Sequence, residues 1–463
     1  MGFDSVFFIG CFLPTALLLY WLIPGIQRKN RVLLALSLVF YAFAGIPQLI
    51  LLLILSCITY LLGRCVAAGR AKKPAMIAGI CLNLVYLCIF KYLNFLFTQV
   101  LSLPAVDLGI ALPLGISFFT FKSISYLVDV YRKPENAAKS FGAYALYVTF
   151  FPQIVTGPIA RFGEFSQQLQ HRTHSAEAAA AGMRRFIVGL AKKLVLSGTL
   201  GTMVDGIFAD AAGIMDARLA WLGAIGYCLQ LYFDFSGYID MANGLGGIFG
   251  FSPVENFNHP YCADSIGDFW RRWHISLSTW FRDYVYIPLG GNRKGTLRTG
   301  IHKCIVFLLC GLWHGASWTF LLWGIWHGVF SLLESSRIIP VDKLKKHPFV
   351  SHLYTLLVVC IGFVMFRADS VAQGIAVITA MFSAFSFTPA ATVLLHQLVS
   401  SKVIVLMLLG VLLCLPVKGS LLKLPWLRKH WDIAANIGCL LLLGLSVLAL
   451  AAGGFAPSIY AGF

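Results

Sequence analysis

The chain has 463 residues, of which 59% are hydrophobic and only 12% are charged. Water-soluble domains are about 45–50% apolar and about 25% charged, so this composition excludes an ordinary soluble fold and indicates a lipid bilayer as the solvent. The formal net charge of +17 would suit a nucleic-acid-binding protein. The lysines and arginines, however, lie in short clusters between apolar runs, which is a pattern of membrane topology, so nucleic acid is not expected as a partner.

Long apolar segments recur from one end of the chain to the other. A membrane span needs roughly 20 predominantly apolar residues. The longest segments are Val6–Ile23, Gln48–Val66, Met76–Phe97, Ile187–Val204, Ser351–Phe366, Val403–Leu415 and Ala434–Ala451. With the shorter segments between them, they predict an all-α polytopic membrane protein of about eleven spans or half-spans, surrounded by membrane lipids.

Basic clusters between the spans predict their orientation, because short loops rich in Lys and Arg lie on the cytoplasmic side. The cluster Arg28–Arg31 follows the first span and Lys418–Lys429 precedes the last, so both termini are predicted to be extracytoplasmic. The segments Phe141–Pro158 and Ile305–Glu334 have basic flanks on both sides. Each is therefore predicted to turn back within the membrane or to form a hairpin of two shorter helices.

No polar linker or low-complexity stretch interrupts the sequence, which predicts one membrane domain over residues 1–463. Its N-terminal spans would occupy residues 1–140 and its C-terminal spans residues 336–463. Residues 141–335 contain the three stretches in which polar and aromatic residues concentrate. The 12 cysteines include no Cys-x-x-Cys pair and lie mostly in apolar segments, so neither a disulfide framework nor a metal site is expected.

The first polar and aromatic stretch is Phe150–Phe165. Pro152, Gly157 and Pro158 forbid a continuous helix there. The broken element is either a kinked helix end or one wall of a polar cavity, in which Gln153 would offer hydrogen bonds.

The second stretch begins with Asp234, Asp240 and Asn243 in a run that would otherwise span the membrane. Ionised side chains at membrane depth cost roughly 2.5–3.5 kcal/mol, so these carboxylates either pair with nearby arginines or face a water-filled cavity. Four glycines follow, at Gly244, Gly246, Gly247 and Gly250. Their spacing favours close helix packing over phosphate binding.

The second stretch continues into an aromatic segment around His274. On a single helix, an aromatic stripe would form that suits the membrane interface, made of Phe269, Trp273, Leu277, Trp280 and Tyr284. Packing alone does not require an imidazole among these rings. His274 is therefore either a satisfied core residue or a functional group.

The third stretch contains two Trp-His-Gly triplets, which place His314 and His327 13 residues apart. On one unbroken helix, two residues at this spacing point to nearly opposite faces and lie roughly 20 Å apart, which predicts that they do not share a site. Either imidazole suits proton abstraction near neutral pH. The spacing leaves the choice between them open.

Together these motifs resemble those of the membrane-bound O-acyltransferases, most closely the alginate O-acetyltransferase subgroup. The resemblance runs nearly end to end and is carried by LVFYAF, FKYLNF, PLGISFFTFKSISYLVDVYR, FFPQIVTGPIARF, LYFDFSGYIDMANG, FWRRWHISLSTWFRDYVYIPLGGNRKG and GLWHGASWTFLLWGIWHG. It implies a ring of about eleven transmembrane helices, with re-entrant and interfacial helices, around a central tunnel.

The resemblance also assigns roles to residues. The histidine of the GLWHG motif, His314, is implied to be catalytic and to act as general base, and the histidine of the RWHIS motif, His274, to be the second residue of the reaction centre. His327 then becomes a packing or secondary residue. The residues expected to support the pocket are Trp313, Asp234, Asn243, Gln153 and His327.

The implied activity is transfer of an acetyl group from cytoplasmic acetyl-CoA across the bacterial plasma membrane for O-acetylation of an exported or cell-surface polysaccharide. No permanently bound cofactor is expected. An SGNH-type extracytoplasmic acyltransferase is an expected partner, with the polysaccharide acetylated directly or through it. The residues expected to hold the anionic end of the donor are Arg271, Arg272, Arg282, Arg293 and Lys294.

Two other readings stay open at this point. The RWHIS and WHG elements also resemble enzymes that transfer D-alanine to teichoic acids from a carrier protein. A transporter or scaffold of a polysaccharide export machine would likewise contain buried polar groups and broken helices. Substrate flux without an acyl product would identify a transporter.

Overall fold

A computed structural model describes residues 1–453 apart from residues 70, 110, 211–212, 294, 418 and 420–421. Every regular element of this described part is helical, apart from one isolated β-bridge between Phe257 and Trp273. The all-α prediction is thus confirmed. The ring of about eleven helices around a tunnel stays a prediction.

The helices follow one another along the whole chain. The first are α1 (Leu13–Leu22), α2 (Ile26–Ala42), α3 (Ile46–Ala67), α4 (Lys72–Lys91), α5 (Leu93–Phe95), α6 (Ile116–Arg132), α7 (Phe141–Thr149), α8 (Phe162–Gln170), α9 (Ala176–Ala191), α10 (Gly198–Asp210) and α11 (Ala217–Ile248). Next are α12 (Ile266–Arg272), α13 (Ile275–Phe281), α14 (Thr296–His314), α15 (Trp318–Ser335), α16 (Val341–Leu344) and α17 (Pro348–Arg367). The last are α18 (Val371–Ser383), α19 (Pro389–Leu398), α20 (Ser401–Leu413), α21 (Pro425–Lys429) and α22 (Trp431–Ala451).

Five helices of the described chain are long and apolar enough to cross a membrane. They are Ile46–Ala67, Lys72–Lys91, Ala176–Ala209, Pro348–Arg367 and Trp431–Ala451. A sixth follows if α19 and α20, which meet at an angle of 74°, form one broken span. The protein is therefore a multi-pass membrane protein, and the prediction of about eleven spans or half-spans remains a prediction.

Both segments that were predicted to turn back are interrupted. Ile305–Glu334 lies within the two helices α14 and α15, which are separated at residues 315–317, so the hairpin alternative is the observed one. In the segment Phe141–Pro158, α7 ends at Thr149 and the irregular backbone that follows is buried.

The aromatic segment around His274 differs from the prediction of one interfacial helix. It is split into α12 and α13, because His274 adopts a left-handed conformation with φ of +44°. Its aromatic residues Phe269, Trp273 and Trp280 are buried inside the protein. The predicted stripe is thus part of the core.

Residue contacts divide the chain into two compact units. The first comprises Met1–Phe186 and Tyr238–Glu255, and the second comprises Ile187–Gly237 and the described chain from Asn256 onward. The first unit has an aromatic core in which the rings of Phe40 and Phe151 lie 5.7 Å apart. The division at residues 140 and 335 made from the sequence stays a prediction.

Within the first unit, α9 and the end of α11 approach each other at glycines. A Cβ atom added at Gly244 would lie 2.5 Å from the carbonyl oxygen of Gly182 and 2.7 Å from the backbone nitrogen of Phe186. These backbone atoms have little freedom to move. The prediction that Gly244 serves close helix packing is thus confirmed.

We expect Gly244→Ala to destabilise the protein by about 1–3 kcal/mol, because the added methyl group overpacks this contact. The control is Gly246→Ala on the same helix, where a Cβ would meet its nearest atom, Phe251 Cβ, at 3.9 Å. That change should be neutral or stabilising, since alanine favours a helix by up to about 1 kcal/mol. Unfolding in detergent measures both, and equal stability of the two variants would contradict the packing argument.

Candidate active site

The last residue of α14 is His314, whose side chain is 3% exposed. The helix stops there because Gly315 is extended, and α15 starts after Ser317, whose hydroxyl accepts a hydrogen bond from Thr319 N. Three aromatic rings surround the imidazole, with ring centroids at 4.8 Å for Trp313, 5.0 Å for Trp323 and 5.1 Å for Phe366. His314 therefore lies at the tip of a helical hairpin in an aromatic enclosure.

The turn between α12 and α13 holds His274 in its left-handed conformation, which is uncommon for a residue other than glycine. Asn256 fixes this turn. Its carbonyl oxygen accepts a hydrogen bond from Ile275 N at 3.0 Å, and its side-chain oxygen accepts one from Ser276 N at 2.8 Å. Backbone strain kept in place by such bonds is often found at functional sites.

Both histidines of the expected reaction centre contact the same indole. The ring centroid of Trp313 lies 5.9 Å from that of His274 and 4.8 Å from that of His314. All three residues belong to the second unit. The structure thus brings together three residues that the sequence assigned to one site but separates by about 40 positions.

His327 also lies in this row of rings, on the other side of Trp323. The Trp323 ring centroid is 5.0 Å from His314 and 5.2 Å from His327. The predicted separation of roughly 20 Å between the two histidines was wrong, because it assumed one unbroken helix, whereas the prediction that they do not share a site stays a prediction. The break at residues 315–317 folds α15 back along α14, so one indole separates the two imidazoles.

Asp234 forms a buried ion pair with Lys193. The Nζ atom of Lys193 donates to Oδ1 of Asp234 at 2.6 Å, and both side chains are 4% exposed. Asp240 is paired as well, with Arg185 at 2.9 Å, and Arg185 also binds Glu255 through two bonds of 2.7 Å. The expected alternative of structural pairing thus holds for both aspartates, although the partner of Asp234 is a lysine.

Gln153 and Asn243 lie in the first unit and make hydrogen bonds there. Gln153 accepts one from the buried ammonium of Lys122 at 3.2 Å. Asn243 donates to the carbonyl oxygen of Val254 at 3.0 Å and accepts from its N–H at 3.1 Å. These hydrogen bonds hold both side chains in contact with neighbouring residues of the first unit. The expected role of Gln153 and Asn243 in a substrate pocket stays a prediction.

A cavity of about 270 Å³ opens in the second unit beside the hairpin. Its walls are mainly apolar and include Trp270, Leu277, Phe281, Phe307 and Cys310, with Ser278 and Ser331 as polar exceptions. Cys310 lies one helical turn, about 6 Å along the axis, before His314. The cavity therefore reaches close to the enclosure of that histidine.

Three cations line the same cavity, namely Arg271, Arg282 and Lys303. The arginine side chains are 67% and 59% exposed, so they lie at its open end, and each also pairs with an aspartate, Asp268 or Asp283. An apolar cavity with a cationic rim suits a ligand that has an anionic end and a narrow arm.

The other predicted donor-binding residues are placed differently. Arg272 does not line the cavity and pairs with Asp268 at 2.8 Å. Arg293 lies in a turn, where its backbone N–H donates to Gly290 O at 3.3 Å. Lys294 lies outside the described residues.

Several residues that organise this site were missed in the sequence. Glu334 accepts hydrogen bonds from Ile266 N at 2.7 Å and from Gly267 N at 2.9 Å, and so caps the start of α12. Lys303, Lys193 and Asn256 were missed too. Lys193 and Lys303 had been assigned to topology alone, and an asparagine in a loop carries no signal of the turn that it will hold.

Comparison with known proteins identifies the kind of protein that carries this site. The model of the MBOAT, membrane-bound O-acyltransferase, family matches residues 36–368. The chain belongs to this family. It is an O-acyltransferase. His274, His314, the hairpin of α14 and α15 and the residues that line the cavity all lie within the matched part of the chain.

Individual relatives of this O-acyltransferase act on different polymers according to their names. The chain is 43% identical over 394 residues to the "Probable alginate O-acetylase AlgI" of Pseudomonas aeruginosa, which covers 83% of this chain and 75% of that protein. It is 36% identical to the "Peptidoglycan O-acetyltransferase" of Helicobacter pylori, over 68% and 67% of the two chains. The "Teichoic acid D-alanyltransferase" of Bacillus subtilis is 31% identical over 44% of this chain and 53% of its own.

We expect Asp234→Asn to destabilise this O-acyltransferase by about 3–5 kcal/mol, because it leaves the Lys193 ammonium buried without its carboxylate. The double variant Lys193→Met, Asp234→Leu should recover most of the loss. Asp240→Asn is the matched control, since Arg185 keeps its two bonds to Glu255. Unfolding in detergent measures all three, and an undiminished Asp234→Asn variant would show that the pair contributes little.

We expect Asn256→Ala to cost about 1–3 kcal/mol, because Ser276 N loses its acceptor in a buried turn. Asn258→Ala is the control, since Asn258 is exposed and its hydrogen bonds with Arg272 are made by its backbone N–H and carbonyl groups. That control should change stability by less than about 0.5 kcal/mol. Equal effects of the two variants on unfolding would remove the assigned role of Asn256.

Proposed function

We propose that this enzyme transfers an acetyl group from cytoplasmic acetyl-CoA to a hydroxyl group on the way to O-acetylation of an exported or cell-surface polysaccharide. The observation that carries the proposal is that His274 and His314 both contact the indole ring of Trp313. The distances between ring centroids are 5.9 Å for His274 and 4.8 Å for His314. The names of the Pseudomonas aeruginosa and Helicobacter pylori relatives support acetyl as the group and a polysaccharide as the final acceptor.

The donor would enter through the cavity of the second unit. Arg271, Arg282 and Lys303 would bind its phosphate groups, and the apolar walls would take its arm. Because Cys310 lines the cavity one turn before His314, a thioester at the inner end would come close to that imidazole. This orientation requires the basic loops to be cytoplasmic, as the distribution of Lys and Arg predicts.

His314 would act first as general base and then as general acid. It would take the proton of the acceptor hydroxyl as the oxygen attacks the thioester carbonyl, a contribution of about 10²–10⁴-fold in typical enzymes. When the carbon–sulfur bond breaks, the imidazolium would return the proton to the departing thiolate. His274 would hydrogen-bond to the carbonyl oxygen as its negative charge develops, an interaction that a dry enclosure strengthens.

In the cell, we place the enzyme in the bacterial inner membrane with both termini extracytoplasmic. The acceptor hydroxyl would belong either to the polysaccharide itself or to an extracytoplasmic acyltransferase, of the SGNH type, that completes the transfer. D-Alanyl transfer from a carrier protein is the competing reaction, because a teichoic acid D-alanyltransferase is also a relative.

We expect His314→Ala to abolish acetyl transfer, because it removes the imidazole proposed to take up the proton of the acceptor hydroxyl. The measurement is incorporation of radiolabelled acetyl from acetyl-CoA into the polysaccharide, in membranes of cells that make the polymer and contain matched amounts of each variant, so that either proposed acceptor is present. His396→Ala, at an exposed histidine of α19, is the control and should be fully active. Activity of His314→Ala at the wild-type level would refute the mechanism.

Two further measurements test the role of His274 and the identity of the acyl donor. His274→Asn keeps a hydrogen-bond donor, so it should lower kcat without changing the pH at which activity falls in acid. A shifted pH profile would instead give His274 the role of a proton acceptor. A D-alanyl carrier protein offered in place of acetyl-CoA should give no product, and preferred use of that donor would replace the proposed reaction by D-alanyl transfer.

A further inference from the structure

Behind the cavity wall, four polar atoms are buried without hydrogen-bond partners in the described part of the chain. They are both ring nitrogens of His327 and the indole nitrogens of Trp270 and Trp323. His327 is 0% exposed and Trp323 is 1% exposed. Buried polar groups are nearly always hydrogen-bonded in native proteins, so a cluster of unpaired ones points to a polar guest.

The three rings are in mutual contact. His327 has its ring centroid 5.1 Å from that of Trp270 and 5.2 Å from that of Trp323, and the two indoles are 5.7 Å apart. The glycine at position 362 of α17 makes room for the imidazole, since a Cβ at Gly362 would lie 2.7 Å from its Nε2 atom. A leucine would fill the same volume without leaving polar atoms unpaired, so packing does not explain the histidine.

The cluster is also continuous with the two features that carry the proposed reaction. Trp270 lines the cavity, as does Ser331, which lies one turn after His327 on the same face of α15. On the other side, Trp323 contacts His314. A donor arm that extends from the cationic rim towards His314 therefore passes beside these rings.

The polar atoms match the hydrogen bonding of a secondary amide. An amide group presents one acceptor, its carbonyl oxygen, and one donor, its N–H. Each indole N–H is a donor only, and a neutral imidazole supplies one donor and one acceptor. Trp270 and His327 together therefore offer the complement of one amide, which a purely hydrocarbon arm would leave unpaired.

We propose that Trp270, Trp323 and His327 form an inner polar subsite that binds an amide group in the arm of the acyl donor, and so selects thioesters of the pantetheine type. This inference rests on the proposed function and deepens it. Trp270 would donate its indole N–H to the amide carbonyl, and His327 would accept the amide N–H. The subsite binds and positions the donor and takes no part in proton transfer.

The test compares two unreactive probes by equilibrium binding to the purified full chain. One is S-acetonylpantetheine, which has two amides, and the other is an alkyl ketone thioether of the same length without amides. The wild type should bind the amide probe more tightly. Trp270→Phe and His327→Leu should each reduce the ratio of the two affinities by about five- to tenfold, as expected for one lost hydrogen bond.

Matched variants separate binding from folding. His327→Gln keeps a hydrogen-bonding side chain and should retain much of the ratio. Trp326→Phe on the same helix removes an indole that donates to Val358 O at 2.8 Å, and should leave the ratio unchanged. His327→Leu should also raise the unfolding temperature, because it removes buried unpaired nitrogens, whereas a purely structural histidine would give a lower one.

The outcomes distinguish the inference from the proposed function. An unchanged ratio in Trp270→Phe and His327→Leu, equal weakening of both probes, or no binding of either probe to the wild type would overturn the subsite. Acetyl transfer by the wild type with any of these results would leave the proposed function standing. Amide selection that depends on these residues, in a protein that transfers D-alanine rather than acetyl, would keep the subsite and replace the reaction.

Discussion

The backbone contact between α14 and α15 determines how the rings of Trp313 and His314 on one helix face those of Trp323 and His327 on the other. A Cβ at Gly324 would be 2.5 Å from the carbonyl oxygen of Phe307, so the two helices touch through atoms that no side chain can separate. This contact sets Trp323 against His314 and aligns His327 behind it. The role proposed for His314 requires such fixed positions, since a displacement of about 1 Å in a catalytic group can cost about 100-fold in rate.

The second unit also contains groups that cost free energy because they bury charge or strain the backbone. They include the ion pair of Lys193 with Asp234 and the left-handed backbone of His274. Each is compensated locally, by the opposite charge in one case and by the hydrogen bonds of Asn256 in the other. His327 lacks such compensation within the described chain, which is why a ligand explains it better than the fold does.

Local sequence patterns predicted the helices well where an apolar run is continuous. The segment predicted at Gln48–Val66 is the helix Ile46–Ala67, and that predicted at Ser351–Phe366 is Pro348–Arg367. The same reasoning failed at His274, where it extended helical periodicity across a break, although it did predict the interruption within Ile305–Glu334. The same short sequence can form either a helix or a turn. At His274 the choice depends on contacts with residues that are distant in the sequence, such as the hydrogen bond from Ser276 N to the side chain of Asn256.

By itself the sequence determined that the chain is a helical membrane protein, and the family resemblance of its motifs singled out His274 and His314 as candidates for the reaction centre. These properties follow from composition, apolar runs and short motifs, all of which are local in the chain. Only the tertiary structure decided that Trp313 contacts both histidines and that His327 lies one indole from His314. The reason is that such contacts depend on where helices stop and how closely their backbones approach, which distant residues control.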